Sequence, residues 1–159
     1  MTKSLQTLKV EIEKNVQVLQ RLENYIVEFE HSRMDKVESN TDHAMILAQA
    51  LTNYYTCLET IFLRVSKYFE NCLPSDRWHQ ALLEKMTLEI DDVRARVVRD
   101  DLYLGLLEIM KFRHFARYYF ELDYDWDKLM YLLKKFNDLR EMVREDIGTF
   151  SVWLGQLAQ

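Results

Sequence analysis

The stretch LQTLKVEIEKNVQVLQRLENYIVEF, residues 5–29, decides the fold class of this chain. Its apolar residues recur at steps of three and four, which places them on one stripe of a long amphipathic helix. The stripe comprises Leu5, Leu8, Ile12, Val16, Leu19, Leu22, Ile26 and Phe29. Such a stripe must pack against other helices to be buried, so the stretch predicts a helical bundle. We expect this first helix to fade near Ser39–Asn40, where polar turn-forming residues gather.

A second and a third helix follow from the same spacing. Thr41 and Asp42 are both competent caps for a second helix, which we expect to run to Asn71. The following LPSD, residues 73–76, contains the one proline of the chain, which cannot continue a helix, and Ser75 or Asp76 can cap the next one. That third helix is predicted to be short, from about Arg77 to Glu89.

The C-terminal half predicts two more helices. Residues 90–99 indicate a loop or a short helix, after which Asp100 or Asp101 caps a fourth helix. Residues 119–127 are rich in Asp and Tyr, and we expect a corner there. A fifth helix begins at about Trp126, and Gly148 and Gly155 are expected to weaken its end, so that the last residues fray or dock.

Composition supports an all-α fold. Among 159 residues there are three glycines and one proline, too few for the turns of an all-β domain, and 48% of the residues are hydrophobic. We therefore predict a single domain over residues 1–159, an up-and-down bundle of four main helices plus a short one. The long helices also favour a homodimer, because they offer surface for an interface as well as for a core.

Charge, cysteines and hydropathy limit the compartment and the partners. The net charge of −5 argues against a general nucleic-acid coat protein. Basic residues nevertheless crowd one part of the chain, at Arg94, Arg96, Arg99, Lys111, Arg113 and Arg117. No apolar run approaches the roughly 18–20 residues that span a bilayer, and the N-terminus lacks the apolar core of a secretion signal, so we expect a cytoplasmic protein without a membrane partner. Cys57 and Cys72 are expected to be buried thiols.

Standard catalytic signatures are absent from the sequence. It contains no glycine-rich phosphate loop, HExxH, GxSxG or EF-hand spacing, and it offers no third ligand to the Asp91-Asp92 and Asp100-Asp101 pairs. We therefore predict neither a metal nor a cofactor. His79, beside Trp78, is interpreted as a packing or capping residue.

The segment KFRHFARYYF, residues 111–120, is the best candidate for a site. Arg113 and Arg117 are four residues apart and share one face of the fourth helix, while His114 and Tyr118 share a neighbouring face. Two guanidinium groups at this spacing repel each other unless an anion lies between them, and phosphate is a suitable one. The alternative is that both arginines pair with carboxylates of the same chain, namely Glu108, Glu121 or Asp123.

Four stretches of the chain resemble the HepT-like branch of the HEPN proteins. They are LETIFLRV at residues 58–65, LPSDRWHQALLEKM at 73–86, FRHF at 112–115 and ELD at 121–123. The resemblance covers roughly residues 5–145. It implies a dimerising helical bundle with a metal-independent ribonuclease site at the dimer cleft, acting as the toxin of a toxin–antitoxin pair. It also implies a small nucleotidyltransferase antitoxin that adenylylates a tyrosine of the toxin.

The motif of that family is Arg, four to six residues, His, one residue, Tyr. In its chemistry the histidine serves as acid or base for the 2′-hydroxyl, and the arginine stabilises the charge of the transition state. Counted from Arg113, the motif histidine falls at Tyr118 and the motif tyrosine at Phe120. If two residues are missing after Arg117, Tyr118 instead takes the place of the tyrosine, and the histidine has no counterpart. His114 is the nearby substitute.

The resemblance thus implies a set of site residues with distinct roles. Arg113, His114 and Tyr118 are the catalytic candidates, Arg117 and Lys111 bind RNA or phosphate, and Tyr118 or Tyr119 is modified. Two functions remain open: an endoribonuclease toxin with an altered site, or an inactive HEPN-fold dimer that binds RNA, nucleotide or a nucleotidyltransferase partner. A third, plainer reading is a helical dimer used only for assembly.

Overall fold

The structure, a computed structural model, describes residues 4–34, 40–71 and 77–159. Five α-helices lie within these segments, and together they confirm the predicted all-α bundle of four main helices plus a short one. They are α1 (Leu5–Phe29), α2 (Thr41–Phe69), α3 (Trp78–Met86), α4 (Tyr103–Tyr118) and α5 (Trp126–Leu157).

Helix α2 is the centre of the bundle, since it contacts each of the other four helices. The predicted stripe of α1 is confirmed as a buried face. Its fully buried members are Leu8, Ile12, Leu19, Ile26 and Phe29, and its half-buried ones are Leu5, Val16 and Leu22. The ring of Tyr54 on α2 packs edge-on against Phe136 on α5, with 4.9 Å between their centroids. None of the helices in the described segments is long and apolar enough to cross a membrane.

The helix starts differ from prediction by small shifts that have local causes. Asn40, rather than Thr41 or Asp42, caps α2, because its extended backbone lets its side chain accept from the His43 N–H at 2.8 Å. Asp125 caps α5. Asp100 and Asp101 do not cap α4; they lie in a 3₁₀ turn, Asp100–Leu102, that leads into it.

The helix ends also differ. Helix α1 passes into a π-helical turn at Glu30–Met34, and α3 ends at Met86, three residues before the predicted Glu89. Residues 90–99 are a loop closed by a bridge between Ile90 and Arg94. The two glycines do not end α5, which continues to Leu157, and of the two predicted outcomes for its last residues docking is confirmed, since Phe150 and Leu154 are buried. The predicted break at residues 73–76, Ser39 and Cys72 lie outside the described residues.

Cys57 on α2 is confirmed as a buried free thiol. Its Sγ lies 3.4 Å from the backbone oxygen of Asn15 on α1. Burial raises the pKa of the Cys57 thiol to about 11, so this sulfur is a packing group at neutral pH.

Candidate functional site

A buried carboxylate, that of Glu59 on α2, joins three helices. Glu59 is 4% exposed. Its Oε2 accepts from Nδ1 of His79 on α3 at 2.7 Å, and its Oε1 lies 3.2 Å from Nη2 of Arg113 on α4. We call the set Thr56, Glu59, His79, Arg113 and His114 the Glu59 cluster. Because its members come from α2, α3 and α4, only the folded bundle assembles it.

Arg113, the first catalytic candidate, points into the bundle. It is 6% exposed, and its Nε donates to Oγ1 of Thr56 at 3.0 Å. Its Nη1 is buried without a hydrogen-bond partner in the described part of the chain. The sequence offered pairing of Arg113 with a nearby carboxylate as the alternative to phosphate binding. Arg113 does pair with a carboxylate, but its partner is Glu59 of another helix, so the predicted partner is wrong. Of the proposed acceptors, Glu108 lies 3.4 Å from Nζ of Lys128 instead.

His114, the second candidate, lies against His79. Their ring centroids are 4.6 Å apart and the rings are nearly perpendicular, at 87°. The indole of Trp78 stacks on the imidazole of His79, with 3.6 Å between the ring centroids. Within the described segments no hydrogen bond is made by either ring nitrogen of His114 or by Nε2 of His79, and none of these three atoms is sealed from solvent. Two imidazoles therefore present open nitrogens at one place.

The charge state of His114 follows from its surroundings. Burial lowers the pKa of His114, and the neighbouring His79, Arg113 and Arg117 lower it further, against the opposing effect of Glu59. His114 is consequently a neutral imidazole at pH 7, which is the form that accepts a proton.

The remaining residues of the predicted site lie at the surface. Arg117 is exposed, with its guanidinium carbon 5.8 Å from the ring centroid of Tyr118, and Tyr118 is 74% exposed. The two arginines of the segment thus have different environments, Arg113 inside and Arg117 outside. The idea that both face one phosphate is not supported by this arrangement.

The two tyrosines proposed for modification differ in the contacts of their hydroxyl groups. The hydroxyl of Tyr119 donates to the backbone oxygen of Asp123 at 2.6 Å, and its ring stacks on Phe115 at 4.7 Å. The hydroxyl of Tyr118 makes no hydrogen bond to any described residue. Tyr118 is therefore the more accessible acceptor.

Lys111, the other phosphate-binding candidate, is exposed and borders a mostly apolar pocket of about 380 Å³. The pocket is also lined by Glu108, Phe112, Phe115, Asp123, Tyr124, Asp125 and Lys128. It lies between α4, the corner before α5 and the first turn of α5.

The basic residues that crowd this part of the sequence do not form one surface. Arg94 is buried, and its Nη2 lies 2.7 Å from Glu70. Arg99 pairs with Asp146 at 2.6 Å. Both are structural links between distant segments, so the local basic patch reduces to Lys111 and Arg117, with Arg96 exposed in the preceding loop.

Sequence reasoning missed Thr56 and Glu59, and it treated His79 as a packing residue. The signal was present, because Glu59 and His79 lie in two of the stretches that carry the family resemblance. Their link to Arg113 was not visible, since it depends on how three helices are rotated. Among the described residues there is no group of three or more His, Cys, Asp or Glu side chains that could hold a metal ion.

The bundle of helices is that of a HEPN-type helical domain. A family model described as HepT-like protein matches residues 46–154, from within α2 to the last turn of α5. The chain belongs to the HepT-like protein family, which confirms the resemblance seen in its sequence. Comparisons with curated proteins and with solved structures found no match.

Proposed function

We propose that this chain is the cytoplasmic toxin of a toxin–antitoxin system, an endoribonuclease that needs no metal. Membership of the HepT-like family supports the role. The observation that carries the activity is the contact between the imidazoles of His114 and His79, next to Arg113. Their ring centroids are 4.6 Å apart. This pair supplies an acid–base group, although no histidine stands at the motif position and Tyr118 takes the place of either the motif histidine or the motif tyrosine.

The chemistry proposed is attack of the ribose 2′-hydroxyl on the adjacent phosphate. His114 accepts the 2′-hydroxyl proton, since its lowered pKa keeps the ring neutral at pH 7. The exposed Arg117 and Lys111 attract the phosphate backbone from the surface of α4. The hydroxyl of Tyr118 donates a hydrogen bond to a phosphate oxygen.

Two partners complete the proposal. A second copy of the chain forms a homodimer, for which the exposed Leu104 and Phe115 on α4 supply apolar surface. A nucleotidyltransferase antitoxin adenylylates Tyr118, whose ring and hydroxyl project from the end of α4. Modification there would place a bulky anion beside Arg117 and block access to RNA.

A second function is favoured by the burial of Arg113. Its guanidinium is held by Thr56 and Glu59, and a phosphate cannot reach Nη1 while that pairing persists. On this observation the chain is an inactive dimer that binds RNA, nucleotide or the nucleotidyltransferase partner without cutting.

Incubation of the purified chain with transfer RNA and messenger RNA separates the two functions. For the ribonuclease we expect fragments that end in 2′,3′-cyclic phosphate, and a rate about 10²–10⁴-fold lower for His114→Gln. His31→Gln is the matched control, because His31 lies in the turn after α1 and, among the described residues, its ring bonds to the backbone of Val27 alone. Intact RNA that is bound by the wild type would instead establish the second function.

The antitoxin part has its own test. Co-expression with a candidate nucleotidyltransferase, followed by intact-mass measurement, should show one or more added AMP groups and relief of growth arrest. Tyr118→Phe should abolish the added mass, whereas Tyr119→Phe should retain it. Unmodified protein in the presence of the partner and ATP would rule out neutralisation by adenylylation.

A further inference from the structure

Resting on the proposed ribonuclease activity, we propose that His79, held by the buried carboxylate of Glu59, is the general acid that protonates the leaving 5′-oxygen. In the family motif the histidine follows the arginine after four to six residues of the chain. Here the second imidazole comes from α3, and the fold brings it to the site.

The first support is the way in which His79 is held. Nδ1 donates to Oε2 of Glu59 at 2.7 Å, which fixes the tautomer and leaves Nε2 as the working nitrogen. Trp78 stacks on the ring at 3.6 Å and limits its rotation. Glu59 thereby holds Nε2 of His79 in one orientation, as a group that transfers a proton requires.

The second support is the cost of the arrangement. A carboxylate as buried as that of Glu59 is unfavourable unless charged or polar partners satisfy it. Nη2 of Arg113 lies 3.2 Å from Oε1 of Glu59, and Nε of Arg113 donates to Oγ1 of Thr56. An imidazole that served only as a packing group would not need a buried ion pair to orient it. Glu59 and Arg113 are thus positioning residues for His79.

The third support is that the environments of the two imidazoles differ. His79 has a carboxylate on Nδ1, whereas His114 has no hydrogen-bond partner among the described residues. Neighbouring titratable groups with opposite environments are the usual arrangement of an acid and a base at one site. His114 is the base and His79 the acid.

The reaction balances with these two groups. The 2′-O–H proton passes to His114, the 2′-oxygen forms a bond to phosphorus, and the bond from phosphorus to the 5′-oxygen breaks. That oxygen takes the proton from Nε2 of His79. The products are a 2′,3′-cyclic phosphate and a 5′-hydroxyl, and exchange with water returns the two rings to their starting forms.

A sulfur-substituted RNA tests the assignment. The cleavage site of the wild type is first mapped on a short RNA, and the bridging 5′-oxygen at that site is then replaced by sulfur. Because a thiolate leaves without protonation, the substrate bypasses the general acid. We expect His79→Gln to lower cleavage of ordinary RNA about 10²–10⁴-fold, and to come within about tenfold of the wild type on the sulfur-substituted RNA.

The other outcomes separate the failures. His79→Gln that cuts ordinary RNA at the wild-type rate, or that is equally impaired on both substrates, overturns the inference while the ribonuclease function stands. Rescue of His114→Gln instead of His79→Gln reverses the two roles and also overturns it. Rescue requires a folded protein, so loss of structure in the variant cannot imitate it. A wild type that cuts neither substrate refutes the proposed function itself, and the inference with it.

Discussion

Two buried glutamates, Glu59 on α2 and Glu23 on α1, have opposite surroundings. They are 4% and 1% exposed, respectively. Both oxygens of Glu59 are occupied, by His79 at 2.7 Å and Arg113 at 3.2 Å. Both oxygens of Glu23 lack a hydrogen bond to any described residue, and its ion pair with Nε of Arg144 spans 3.7 Å. The two carboxylates are therefore similarly buried. Among the described residues, however, only Glu59 has a partner at hydrogen-bond distance on each oxygen.

The difference has an electrostatic consequence. Burial raises the pKa of Glu23, and Arg144 and Arg140 only partly oppose this effect. The Glu23 carboxyl thus takes up a proton more readily than an exposed one. Around Glu59, three helices instead supply side chains at fixed distances. The comparison indicates that a candidate site is recognised less by a buried charge than by the partners that hold it in one orientation.

The largest expected effect comes from removing the cation that balances Glu59. Arg113→Ala leaves a buried carboxylate without its guanidinium, which typically costs about 3–5 kcal/mol of unfolding free energy. Urea denaturation followed by circular dichroism measures the loss. The matched control is Arg117→Ala, one turn further along α4 and exposed, for which we expect a change within about 0.5 kcal/mol. Equal losses for the two variants would show that the Glu59 cluster does not stabilise the fold.

The next effect compares the two carboxylates directly. Glu59→Gln should lower stability by about 1–3 kcal/mol at pH 7, because Arg113 then remains buried without a counter-charge. Glu23→Gln should leave stability unchanged or raise it, since it removes a buried carboxylate that makes no hydrogen bond to a described residue. Thermal unfolding of both variants under one condition decides this. A larger loss for Glu23→Gln than for Glu59→Gln would reverse the comparison.

The part of this contrast that the sequence predicts is local. The spacing of apolar residues predicted the buried stripe of α1 and the all-α bundle. This was possible because the residues on a buried helix face recur every three or four positions in the sequence. It could not predict that Glu23 is buried. Glu23 follows Leu22 of the stripe and is a polar residue among the buried residues of α1. Nor could it join Glu59 to Arg113, because contacts between distant residues depend on helix rotation and register.

Errors at the helix termini have similar physical causes. Asn40, Thr41 and Asp42 are three adjacent competent caps, and backbone conformation selects the first of them. The two glycines of α5 each cost about 1 kcal/mol in helix propensity. Packing of Phe150 and Leu154, both buried, compensates for that cost and extends the helix. Residue propensity therefore predicted the position of the helices better than their ends.

The pH dependence of stability tests the raised pKa of Glu23. Its ordinary value is about 4.3 in an unfolded chain. Since the folded value is higher, the contribution of Glu23 to stability is complete below about pH 4 and is lost as pH rises through the folded pKa. Glu23→Gln removes this dependence, so its advantage over the wild type should grow from pH 4 towards pH 7 and then level off. Urea unfolding at several pH values measures it.

A neighbour on the same helix provides the control for that titration. Glu28→Gln, exposed near the end of α1, should track the wild type across the same pH range within about 0.5 kcal/mol. A constant difference between Glu23→Gln and the wild type from pH 4 to pH 8 would contradict the raised pKa.

The smallest effect concerns two adjacent tyrosines, each near one of the two glutamates. Burial raises the pKa of each tyrosine, so both remain neutral. The charge of Glu23 also raises the pKa of Tyr54, while that of Glu59 raises and that of Arg113 lowers the pKa of Tyr55. Both hydroxyls are buried without a hydrogen-bond partner in the described segments. Tyr54→Phe and Tyr55→Phe should each leave the unfolding free energy unchanged or raise it by up to about 1 kcal/mol, because an unsatisfied hydroxyl is removed. A loss above about 1 kcal/mol for Tyr54→Phe alone would mean that Tyr54 donates to Glu23 in solution. The Glu23 region would then have directed partners of its own, and the contrast with Glu59 would narrow to the number of charges that each carboxylate faces.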